Sequence, residues 1–134
     1  MRAASQSMPS VLPVSELLTV SAGSARSDVL VITVRGEVDM STGPLLRDRL
    51  HEQVRRSGPD LIVDLTQVGY FGVAGLTVLM DVRAAAMSAE VGFRVVAGTR
   101  VVLVPLRITG LDCVFDVYPE LSEALTPPAS ARHR

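Results

Sequence analysis

Leu61-Ile62-Val63-Asp64-Leu65-Thr66-Gln67-Val68-Gly69-Tyr70-Phe71-Gly72-Val73-Ala74-Gly75-Leu76 is the stretch on which the fold turns. Leu61 to Leu65 is short and almost wholly apolar, the pattern of a strand covered on both faces. Gly69 and Gly72 then mark a loop. From about Val73 to Ser88 the spacing predicts a helix. Its apolar residues, Val73, Leu76, Val78, Leu79, Met80, Val82 and Met87, run almost all round. Such a helix either sits deep in a core or offers one face to a partner.

Reading outward, the same alternation repeats on both sides. Upstream, Leu17 to Ser21 is a weak strand, followed by a Gly/Ser turn and the β-branched run Asp28 to Arg35. After Gly36-Glu37-Val38-Asp39, Ser41 or Thr42 can cap a helix with Pro44 in its first turn. Leu45, Leu46, Leu50 and Val54 share one face of that helix, and Ser57-Gly58-Pro59 stops it. Downstream, Phe93 to Val96 reads as a strand and Thr99 as the cap of a third helix. Pro105 falls inside that helix, so it is expected to bend or to begin effectively near Val104. Val114 to Tyr118 reads as a last strand and Pro119 to Leu125 as a short final helix. The order β-β-α-β-α-β-α-β-α predicts an α/β domain with a mostly parallel mixed sheet of about five strands and about four helices.

The 134 residues fit one domain, and at 48% hydrophobic they supply a full core. Residues 1–14 read as a flexible leader, 15–125 as the domain and 126–134 as a disordered tail. Thirteen basic residues, all Arg, against fourteen acidic ones give a net charge of −1. No basic run is longer than Arg55-Arg56, so the electrostatic footprint of a nucleic-acid binder is missing. The longest apolar runs, Val29 to Ile32 and Val101 to Leu106, are far short of the ~20 residues that span a bilayer. A lone cysteine, Cys113, excludes an intramolecular disulfide and reads as an inert, partly buried thiol. These features together predict a cytoplasmic protein with neither nucleic acid nor direct membrane insertion among its partners.

Four collinear segments resemble the STAS domain, and within it the bacterial anti-sigma factor antagonists. Gly36-Glu37-Val38-Asp39 resembles the family's G-E-[LV]-D, and Leu61-Ile62-Val63-Asp64-Leu65-Thr66 its V-x-D-L-S strand. Tyr70-Phe71-Gly72-Val73-Ala74-Gly75-Leu76 stands in the place of F-[ILM]-D-S-S-G-L. Thr109-Gly110-Leu111-Asp112-Cys113-Val114-Phe115 resembles the T-G-L-D-x-x-F ending. The resemblance implies a STAS fold and an anti-sigma factor, itself a kinase-like ATPase domain, as partner. It also implies that binding frees a sigma factor. In the family the first Ser of D-S-S-G is phosphorylated; here Val73 stands at that position, and a Val side chain offers no hydroxyl. Asp39, Ser41, Thr42, Gly72, Val73, Ala74, Leu76 and Thr77 are the expected contact residues. Thr77, Thr66 and Ser41 are alternative phosphate acceptors. An exposed two-sided helix also allows a homodimer.

An enzyme is not expected. His51 lies on the polar side of the first helix and His133 in the tail, and neither joins a nucleophile or a metal-ligand cluster. Asp39 and Asp64 are expected to order local backbone. Gly69, Gly72 and Gly75 match no phosphate-loop spacing and read as close packing at a helix start. No catalytic residue, metal or cofactor is therefore assigned. The alternative to the antagonist reading is a non-phosphorylatable scaffold or a module sensing a small ligand or lipid.

Overall fold

The computed structural model describes the backbone of residues 10–15, and residues 17–126 in full. Its elements run in the order β1 (Ser10–Ser15), β2 (Leu18–Arg26), β3 (Val29–Val38), α1 (Gly43–Gln53), β4 (Asp60–Phe71), α2 (Val73–Ser88), β5 (Phe93–Val96), α3 (Arg100–Thr109), β6 (Val117–Tyr118) and α4 (Leu121–Leu125). One sheet holds all six strands in chain order. β1, β2 and β3 pair antiparallel, and β3 to β6 pair parallel. The five strands expected from the sequence are β2 to β6. Ser10 to Ser15 add a sixth at the edge where an unpaired leader was expected; residues 1–9, and the tail from 127 onward, lie outside the described residues.

Alternation along the strands divides the sheet into two faces. Ile32, Val34, Val63, Leu65 and Val95 point to one side, where they pack with Leu46 and Leu50 of α1, Leu79 and Val82 of α2, and Val102 and Leu106 of α3. Burying each such side chain contributes roughly 1.5–3 kcal/mol, which makes this layer the main source of stability. Val29, Val31, Ile62 and Val96 point the other way, toward Tyr118 and Ala124. On this second face Arg94 is buried. Its guanidinium donates to the Asp60 carboxylate at 2.8 Å and to the carbonyl of Ala124 at the end of α4.

Several boundaries differ from the sequence reading, each for a tertiary reason. β4 does not end at Leu65 but continues to Phe71, because Arg35 to Val38 of β3 keep pairing with Gln67 to Phe71. Two register shifts absorb the extra residues, so the segment read as a loop is strand. β2 runs through Gly23 and Ser24 to Arg26 for the same reason, and the turn falls at Ser27-Asp28. α3 begins at Arg100, not near Val104. Pro105 removes the donor for the carbonyl of Val101, a residue exposed to water that can replace it. Gly110, at φ 77°, ends this helix in the left-handed conformation a Gly adopts freely. The last strand shrinks to two residues because Leu111 to Cys113 form a 3₁₀ turn, which also leaves Cys113 exposed and not partly buried. Leu45 is exposed and does not share the buried face of Leu46 and Leu50.

Gly36 permits the close approach of β2 and β3 near the end of both. It sits at φ 110°, opposite Leu18, and a Cβ there would lie 1.9 Å from the carbonyl oxygen of Leu17. Gly36→Ala is expected to destabilise the fold by about 3 kcal/mol, from backbone strain plus the clash. Urea unfolding checks this; a loss below about 1 kcal/mol would show that the strands part freely at this point.

Candidate functional site

Asp39 follows the last residue of β3 and organises the turn into α1. Its Oδ1 accepts the amide of Ser41 at 2.9 Å, the hydroxyl of Ser41 at 2.9 Å and the amide of Thr42 at 3.0 Å. The amide of Gly43 donates to the Asp39 carbonyl at 2.7 Å. Donation from the Thr42 amide and then from the Ser41 hydroxyl stabilises the charged carboxylate and holds Asp39 below its ordinary carboxylate range. The sequence pattern suggests Ser41 or Thr42 as a cap, but neither side chain caps α1. Thr42 is only 2% exposed; its Oγ1 donates to the carbonyl of Glu37 at 2.7 Å and accepts the amide of Asp39.

The start of α2 lies beside this turn because the amide of Gly72 donates to the carbonyl of Val38 at 3.1 Å. Glycines let the parts approach closely. A Cβ on Gly72 would meet the Tyr70 ring, one on Gly75 the Phe71 ring at 2.5 Å, and one on Gly43 the Cβ of Ala74 at 3.2 Å. That is the close-packing role expected of Gly72 and Gly75. Among the described residues no side chain caps α2, and its first turn carries no acidic residue. The positive end of the helix therefore opens toward the surface.

Between the turn and the helix start lies an open groove of about 550 Å³, lined by Asp39, Met40, Ser41, Tyr70, Gly72, Val73 and Ala74. Five of the eight residues expected to contact a partner thus meet here. Three do not. Thr42 is spent on the turn, Leu76 is 7% exposed and belongs to the core, and Thr77 is exposed but stands outside the groove, its hydroxyl donating to the Val73 carbonyl. Two lining residues were missed from sequence: Met40 at 87% and Tyr70 at 53% exposure, which with Val73 at 77% make an apolar rim. The signal available for Met40 was an apolar residue set among Asp39, Ser41 and Thr42.

Other polar groups serve the scaffold. Asp64 accepts the amide and hydroxyl of Thr66 at 2.9 and 2.7 Å, as expected of a residue that orders its own backbone. Asp81 on α2 bonds Arg47 and sits 3.1 Å from Nε2 of His51, both on α1; the bond to Arg47 holds its carboxyl below the ordinary range. These contacts tie α1 to α2. Among the described residues no group of three or more His, Cys, Asp or Glu could hold a metal ion. No helix among them is long and apolar enough to cross a membrane.

The sheet order, the paired turns and the helix start define a STAS domain, and residues 24–124 match the model of the STAS domain family. The chain belongs to that family and, within it, to the anti-sigma factor antagonists, which are regulators and not enzymes. It is 34% identical over 102 residues to the anti-sigma-F factor antagonist RsfB of Mycobacterium tuberculosis, covering 73% of this chain and 80% of that one. The crystal structure of an anti-sigma factor antagonist from Mycobacterium paratuberculosis is similar with a TM-score of 0.76 and 36% identity, over 90% of this chain and 97% of that one. A Thermotoga maritima structure shares the fold at a TM-score of 0.70 and 19% identity, over 79% and 91% of the two chains.

The Asp39 turn makes a prediction about pH. A carboxylate held below its unfolded value stabilises the fold fully above that value, and the contribution is lost as pH falls through the folded one. In a carboxyl NMR titration Asp39 is expected to show a midpoint below an ordinary Asp, and Ser41→Ala is expected to move it upward. An Asp39 midpoint at the ordinary value would mean the turn does not hold this carboxylate.

Proposed function

We propose that this chain is an anti-sigma factor antagonist that docks its anti-sigma factor, a kinase-like ATPase domain, on the groove at the start of α2 and so frees a sigma factor. The reading rests on the exposed apolar rim of Met40, Tyr70 and Val73 beside the ordered Asp39 turn. Desolvating such a rim favours association, and aromatic and Met side chains are suited to anchoring it. Relatives named as anti-sigma factor antagonists support the choice of partner.

The proposal includes the absence of a phospho-switch at residue 73. A phosphate there would bring about two negative charges onto a surface that must shed water to bind, and so would expel the partner. Val73 cannot carry one, so the surface stays apolar and competent to bind without a dephosphorylation step.

Calorimetric titration with the purified anti-sigma factor tests the site. Val73→Asp is expected to weaken binding tenfold or more, and Tyr70→Ala and Met40→Ala severalfold each, since truncating a central anchor costs about 1–2 kcal/mol. Thermal unfolding should be unaffected by the Val73 change, because that side chain buries little surface. Unaltered affinity in all three variants would remove the groove from the interface. Incubation with the anti-sigma factor and ATP is expected to leave the native chain unmodified and to phosphorylate Val73→Ser. Phosphate on Ser41 or Thr77 of the native chain would overturn the constitutive part of the reading and leave the docking part standing.

A further inference from the structure

The outward side of α2 carries a regular stripe. Val73, Thr77, Met80, Ala84 and Met87 are all exposed, and they follow one another at intervals of four, three, four and three residues. That is the 3.5-residue repeat of a helix seam, the spacing that meets a second helix along its whole length. None of these residues is charged, and the one hydroxyl among them, on Thr77, is spent on the carbonyl of Val73 at 3.1 Å. Val73 at 77%, Met80 at 41% and Met87 at 61% exposure leave apolar area at both ends and in the middle.

The stripe also reads nearly the same in both directions. Met80 stands seven residues from Val73 and seven from Met87, with Thr77 and Ala84 as small residues between. An isologous contact needs this self-complementarity, because every pairing occurs twice about its two-fold axis. We propose that a second copy of this chain docks antiparallel along the stripe, with the two-fold axis at Met80. Met80 then meets Met80 of the second copy, Thr77 meets Ala84, and Met87 comes against Val73 at the rim of the groove. The flanks permit it. Asp81, next to the axis, is already ion-paired with Arg47 of α1, so the copies present neutral pairs to each other there and not bare carboxylates. Arg83, on the other flank, falls level with Thr77 of the second copy and about 9 Å along the axis from its own mate.

The size of the contact sets its strength. The 16 residues of α2 span about 24 Å. A contact of that length and one helix wide, ~10–12 Å, is smaller than the ~800 Å² per partner of a stable complex. The dimer is therefore weak and exchangeable. Val73 belongs to both surfaces, so the dimer and a docked anti-sigma factor exclude each other; that consequence alone rests on the docking reading above.

Sedimentation equilibrium of the full-length chain, between about 10 µM and 1 mM, is expected to show the average mass rising from one chain toward two. Met80→Arg places two like charges on the axis and is expected to hold the chain monomeric throughout. A second measurement reads the register. With Cys113→Ser to remove the native thiol, Met80→Cys is expected to form an interchain disulfide under mild oxidation. It should do so at least tenfold faster than Met87→Cys, whose mates stand about 21 Å apart in this register. A native chain that stays monomeric at the highest concentration, or a dimer that Met80→Arg leaves intact, would overturn the proposal. Equal oxidation of the two cysteine variants would overturn the antiparallel register, and with it the assignment of the stripe to a second copy. Both measurements omit the anti-sigma factor, so the dimer can fail while docking stands, and docking can fail while the dimer stands.

Discussion

The carbonyl of Val38 and the amide of Gly72 meet at 3.1 Å, one residue beyond the last paired position of the central strands, Val38 opposite Phe71. That bond fixes the two connections that matter. Because β3 and β4 are parallel, both chains leave the sheet at the same end, one through the Asp39 turn into α1 and the other directly into α2. The shared exit places an ordered carboxylate and an uncapped helix start side by side. Their separation is set by rigid strands, not by the loops themselves. Buried Phe71, lying against the backbone of Gly75, then sets how closely α2 sits on the sheet.

Within this frame, polar and apolar parts of the site do different work. Asp39 spends its carboxylate on three donors of its own turn, and Thr42 closes the turn from inside the protein. They shape the surface more than they supply its binding energy. Met40, Tyr70 and Val73 carry the exposed apolar area and do none of the shaping. The contacts of Asp81 with Arg47 and His51 tie α1 to α2, the two helices that follow the shared exit.

The regular elements were legible in the sequence wherever periodicity and termination agreed. α2 and β5 fall on the residues their apolar spacing selects, because Leu76, Leu79 and Val82 fit one helical face and Phe93 to Val96 is a compact apolar run. What escaped was decided by pairing. Gly69 reads as a breaker in isolation, yet β3 holds it in a strand by pairing on either side of it, and Ser10 to Ser15 become a strand only because β2 offers them an edge. The site was legible in part for the same reason. Asp39, Gly72 and Val73 stand out as local anomalies, whereas the burial of Thr42 and Leu76 depends on packing that a linear pattern does not contain. Tyr70 is hidden from the linear pattern because it falls in a segment that reads as a loop, whereas pairing with Glu37 holds it in the strand with its side chain exposed.

α4 shows what a short element costs the rest of the molecule. Five residues cannot sustain a helix alone, since nucleation is unfavourable and propagation has no room to offset it. Its place is held by two arginines reaching its terminal carbonyls, Arg94 from within the sheet to Ala124 and Arg26 from the end of β2 to Leu125. Positive charge at the end of a helix also suits its dipole. The segment is thus ordered by what it packs on, and it covers Val29, Val31, Ile62 and Val96 together. Losing either arginine would weaken the cover over a patch of continuous apolar strand, the kind of surface through which otherwise well-packed domains associate.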